Sequence, residues 1–149
     1  MRIRSATAAD AADLAALIAG GALGPTDDDP GDPGTYAAAL EEVRNAPGCD
    51  VLVAEVDGAV VGMCQLIVFR HVQHRGGRCA ELESVHVRND LRSSGIGGAL
   101  VEAAVEAARA AGCYRVQLTS NGARTDAHRF YARHGFAPTH VGFKRSLPG

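Results

Sequence analysis

The apolar positions change period several times along the chain, and those changes predict its elements. Met1 to Arg4 reads as a short strand. Thr7 through Asp10 has the Ser/Thr-x-x-Asp/Glu spacing of a capping box. Leu14, Leu17 and Ile18 then mark one face of a helix that ends near Gly20-Gly21. Residues 20–34, rich in Gly, Pro and Asp, read as a mobile loop. A second helix is predicted from Thr35 to about Arg44, ended by Pro47-Gly48.

The clearest strand signal follows. The apolar runs 51–56 and 59–68 flank Asp57-Gly58, a two-residue hairpin turn. A third long strand is predicted over 80–87, after a loop at 71–78. Ile96, Leu100, Ala104 and Ala107 then repeat at helical spacing, which predicts a helix from about Ser94 to Ala111, stopped by Gly112. Residues 114–118 read as a strand, 125–134 as a short helix stopped by Gly135, and 136–147 as one or two final strands. The alternation of helices with a β meander predicts a mixed α/β domain around one central sheet, spanning residues 1–149.

Composition narrows the class. The 149 residues suit one domain, and 46% hydrophobic with 21% charged residues is ordinary for a globular protein. A net charge of −2 supplies no basic field for nucleic acid, and no helix is basic and amphipathic enough for a membrane surface. No apolar run approaches the roughly 18 residues of a spanning helix. Cys49, Cys64, Cys79 and Cys113 are scattered and form no C-x-x-C, so neither a disulfide framework nor a cysteine zinc site is expected. A cytoplasmic location is the expectation.

The chemistry centres on Arg92-Ser93-Ser94-Gly95-Ile96-Gly97-Gly98, between the third long strand and the long helix. A glycine-rich turn feeding a helix N-terminus gathers free N–H groups and the positive end of the helix dipole, which suits a phosphate. Two common readings fail on specific residues. A dinucleotide fingerprint needs Gly or Ala where the chain has Leu100, and Gln117 gives no ribose carboxylate. A P-loop needs Gly-Lys-Ser/Thr, which is missing.

The remaining pattern, Arg92-x-x-Gly95-x-Gly97 after Val85-His86-Val87, together with Ala127-His128-Arg129-Phe130-Tyr131 and Gly135-Phe136, resembles the GNAT superfamily of acyl-CoA-dependent N-acyltransferases. Residues 52–147 look most like the bacterial aminoalkylphosphonate N-acetyltransferases within it. The resemblance implies a mostly antiparallel twisted sheet of six to seven strands with about four helices, splayed between strands 4 and 5. It implies acetyl-CoA as co-substrate, no tightly bound metal, a small-molecule amine acceptor and a homodimer. Peptide or protein amines, and a non-catalytic acyl-CoA sensor, are the alternatives.

Residue roles follow. A primary amine with pKa near 10 arrives protonated, so attack on a thioester needs a proton acceptor. The resemblance implies Glu83 as general base. Glu81 shares its strand parity and can help bind a cationic amine. Tyr131 is implied as the acid that protonates the departing thiolate. Val85, His86 and Val87 are implied to pair with the pantetheine arm through their backbones, joined by Asn121. Arg92, Ser93, Ser94, Gly95, Ile96, Gly97 and Gly98 are implied to cradle the pyrophosphate. His71 and His74 are candidates for the acceptor pocket.

Overall fold

The computed structural model describes residues 1–149, and one sheet runs through it in the order β1-β2-β3-β4-β5. The strands are β1 (Arg2–Ser5), β2 (Cys49–Val56), β3 (Ala59–Arg70), β4 (Arg78–Val87) and β5 (Cys113–Gln117). The helices are α1 (Ala11–Gly20), α2 (Pro33–Asn45), the single turn α3 (Gln73–Gly76), α4 (Ile96–Ala110) and α5 (Thr125–Arg133). β1 to β4 pair antiparallel, whereas β4 and β5 pair parallel.

Both faces of the central strands are covered, which explains their nearly continuous apolar runs. Val51 and Val53 of β2 face α1 and α2, packing with Leu14, Leu17, Leu40 and Met63. Leu52 and Ala54 of the same strand face α4, packing with Leu66, Leu82, Leu100 and Val101. The hairpin turn forms as its sequence predicts, with left-handed Asp57 and Gly58 joining β2 to β3. Near the N-terminus Arg4 bonds both carboxylate oxygens of Asp10 at 2.7 and 2.9 Å and Glu55 at 2.8 Å. Thr7 N–H donates to Asp10 at 2.8 Å. The Arg4 guanidinium holds the buried Asp10 carboxyl below the usual range, so this cluster ties β1 and β2 to the start of α1.

Two expectations are corrected. The sheet has five strands rather than six to seven, and it is mixed. Residues 136–147 form no strand. Pro138 and Gly142 interrupt that segment, and Val141, Phe143 and Leu147 stay 78%, 93% and 83% exposed, so no packed surface sets a register there. All four cysteines are unpaired thiols.

Candidate active site

β4 and β5 stay together only as far as Glu81 opposite Gln117. Just beyond, β4 takes an extra residue. Glu83 lies opposite Gln65 and His86 opposite Met63, so three steps on β4 match two on β3. Ser84 absorbs this bulge with a left-handed φ of 51°. A bulge bends its strand and ends regular pairing, and here it turns β4 away from β5. The β5-facing backbone from Ser84 to Val87 is left without a partner strand.

The bulge also reassigns faces. A strict alternation from Glu81 would group Val85 and Val87 with the glutamates. Instead Val85 and Val87 pack against the α4-side core with Ala80 and Leu82. His86 therefore joins Glu81 and Glu83 on the opposite face.

Between the parted strands lies a cleft of about 300 Å³, lined by Ser84, Val85, His86, Thr119, Asn121 and Arg124, among others. The end of α1 closes one side. Gly21 touches the His86 ring so closely that a Cβ there would sit 2.2 Å from Nδ1. Arg124, just before α5, spans to the same place and donates to the Gly21 carbonyl at 3.1 Å. Burial, with help from Arg124 and Arg92, lowers the His86 pKa below its ordinary value, while Asp28 opposes the shift.

The glycine-rich turn sits where β4 leads into α4. Gly95 has φ 89°, and no side chain caps the helix. That φ is strained for any residue with a Cβ. The first α-helical bond at this end runs from Ala99 N–H to the Gly95 carbonyl at 3.0 Å, so the preceding N–H groups have no partner inside the helix. Arg92 and Ser93 are exposed, and Ser94 turns its hydroxyl onto the Leu91 carbonyl.

α5 carries Tyr131 against this region. Its ring meets Phe130 and Phe136 edge-on at 5.1 and 5.9 Å between centroids. Burial pushes the phenol pKa up, so Tyr131 keeps its proton at neutral pH. Asn121 follows β5 at the cleft, and its Oδ1 accepts from Ala123 N–H at 2.9 Å to form a local turn.

The other sequence candidates divide. Glu81 is half-buried at the last β4–β5 pair, and Glu83 is exposed beside it on the same face. His71 and His74 lie beyond the opposite end of β4, where Arg78 is about 20 Å of strand from the start of the cleft at Ser84. There His71 Nδ1 bonds Tyr114 OH at 2.5 Å, and the His74 ring stacks 4.3 Å from that tyrosine. The structure thus separates these histidines from the cleft. Sequence reading gave no sign of Gly21, whose role comes from a contact across 65 residues.

Known proteins resemble this chain in sequence and fold. The chain is 36% identical over 101 residues to an aminoalkylphosphonate N-acetyltransferase of Salmonella typhimurium, covering 68% of this chain and 65% of that one. It therefore spans just under two thirds of that relative's length. It is 34% identical over 140 residues to an aminoglycoside N(6')-acetyltransferase type 1 of Stenotrophomonas maltophilia, covering 92% and 86%. A crystal structure of a transcriptional regulator from Bacillus halodurans C-125 superposes with a TM-score of 0.93 at 32% identity, over 98% and 99% of the two chains. Residues 22–136 match the model of the acetyltransferase (GNAT) family, and the chain belongs to that family.

Proposed function

We propose that this protein transfers an acetyl group from acetyl-CoA to the primary amine of a small molecule. The observation that carries this reading is the parting of β4 from β5 at the Ser84 bulge, next to an uncapped helix N-terminus. The two features suit the two parts of the co-substrate. Free N–H groups at Gly95 to Gly98, with Arg92 nearby, fit a pyrophosphate. The unpaired edge from Ser84 to Val87 fits an extended amide-bearing arm as an added strand.

That arm directs the thioester toward the apex of the cleft, where backbone N–H groups near Val85 can stabilise the developing oxyanion. Glu81 and Glu83 offer negative charge to an approaching ammonium, and Glu83, exposed at the site, is assigned to binding the amine instead of the general-base role that the resemblance implies. Tyr131, kept protonated by burial, supplies the proton that the departing thiolate takes. The relatives named for aminoalkylphosphonates and aminoglycosides favour small amines as acceptors.

The test is release of CoA thiol with acetyl-CoA against aminoalkylphosphonates, polyamines, amino acids, aminoglycosides and short peptides. Saturable release with one small-amine class is expected. Tyr131→Phe should lower kcat about 10²-fold, and Glu83→Gln should raise KM for a cationic amine about tenfold, near 1.4 kcal/mol. Turnover confined to peptides would replace the small-amine reading. Acetyl-CoA binding without turnover would make the protein a sensor.

A further inference from the structure

His86 is the one imidazole lining the cleft, and the bulge at Ser84 presents it on the face that carries Glu81 and Glu83. Its setting differs from that of a core histidine. No buried side-chain nitrogen in the protein lacks a partner, and His86 has no protein hydrogen-bond partner, so its ring nitrogens meet solvent through the cleft. Its Nδ1–Cε1 edge rests on the Gly21 backbone, where only glycine leaves room. Arg124 in turn fixes Gly21 through its carbonyl. A ring set against the Gly21 backbone, lining the cleft and without a hydrogen-bond partner in the protein, is placed to exchange a proton there.

We infer, on the acetyl-transfer reading of this cleft, that His86 takes the proton from the acceptor ammonium and that Gly21 is the positioning residue that sets its ring. The ammonium gives one proton to the imidazole and becomes a neutral amine. The amine lone pair forms the new bond to the thioester carbonyl carbon, whose oxygen gains the π electrons. The oxyanion collapses, and the C–S bond breaks with its electron pair on sulfur. The thiolate takes the Tyr131 proton, and the phenolate regains a proton from the nitrogen that becomes the amide. The imidazolium returns its proton to water. Acetamide, CoA thiol and one proton are the products.

Groups facing His86 set the direction of its pH dependence. Arg124 before α5 and Arg92 before α4 oppose a charged ring, as burial does, whereas Asp28 of the α1–α2 loop favours it. The net shift is downward, so the ring is neutral at pH 7 and competent to accept. The rate falls as pH drops through a value below the ordinary 6.5.

The test is kcat against pH from 5 to 9 at saturating acetyl-CoA and the best amine of the panel, where kcat reports groups in the bound complex. The wild type should show an acid limb of unit slope with a midpoint below 6.5. His86→Gln should lower kcat by at least about 10²-fold and flatten that limb, with KM for acetyl-CoA within about twofold. Gly21→Ala keeps the imidazole but displaces it, and should lower kcat about tenfold while retaining a limb. It also carries the test if His86→Gln melts below the assay temperature. His86→Gln within about threefold of wild type, or with its acid limb intact, overturns the inference and leaves the functional reading standing. Wild type that releases no CoA with any amine overturns both.

Discussion

The two ends of the β4–β5 pair are built from the same two strands and behave as opposites. At the N-terminal end of β4, Arg78 lies opposite Cys113, and Arg78 donates to the Ala111 carbonyl at 3.1 Å. Tyr114 there is engaged by His71, by the His74 ring and by Arg115, whose guanidinium lies 5.2 Å from its ring centroid. Arg70, His71, Arg78 and Tyr114 at this end find partners within the protein. At the other end the strands part, an extra residue bends β4, and His86 has no partner. Histidine, arginine and an aromatic residue occur at both ends, so residue type alone does not make a site. What separates them is whether the fold satisfies its own donors and acceptors or leaves them for a ligand.

The largest expected effect comes from removing the device that separates the ends. Deleting Ser84 takes out the extra residue while leaving every flanking side chain on its present face, so β4 can run on beside β5. CoA release should fall about 10³-fold, as the loss of aligned backbone and side-chain groups implies. The melting temperature should move by only a few degrees, because the α4-side core is unchanged. A deletion that lost the fold and the activity together would show that the bulge is structural and that the contrast between the ends is not its doing.

Much of this fold was legible in the chain, for identifiable reasons. Asp57-Gly58 announces its hairpin because the turn needs two left-handed residues. Gly95 and Gly97 announce a helix start, although Gly95's left-handed φ delays the helix to Ile96. The five strands and the four longer helices lie within a few residues of where the apolar periods place them. The bulge was not legible, since Ser84 carries no local turn signal and the extra residue is defined only by β3 across from it. The packing of Gly21 on His86 was hidden for the same reason. Residues 136–147 misled because alternating apolar positions state what a strand would bury, not whether the chain supplies a surface to bury it. His71 and His74 looked like site residues because sequence distance from Glu81 is short, whereas the hairpin sends them to the far end of the strand.

A smaller effect isolates the other half of the open end. Gly95→Ala must hold a Cβ at φ 89°, at a cost of about 1–2 kcal/mol for a left-handed residue. No atom lies within 4 Å of the position, so the penalty is conformational rather than a clash. Relaxing that strain re-aims the first N–H groups of α4. KM for acetyl-CoA should rise about tenfold, with kcat nearly unchanged. An equal fall in kcat would mean that this turn shapes the cleft apex as well as the phosphate cradle.

The smallest expected effect belongs to the closed end, and it is the sharpest check on the contrast. Tyr114→Phe keeps the ring, its stacking on His74 and its contact with Arg115, and removes only the hydroxyl bonded to His71. Tyr114 is 39% exposed, so water can replace the lost partner and the change should cost about 0.5–1 kcal/mol. For a chain of this size that lowers the melting temperature by about 2–3 °C. CoA release should stay within twofold, because about 30 Å of strand separates this hydroxyl from Val87. A fall beyond tenfold would show that the two ends are coupled. His71 and His74 would then return as part of the acceptor region, and the division between a closed structural end and an open chemical one would fail.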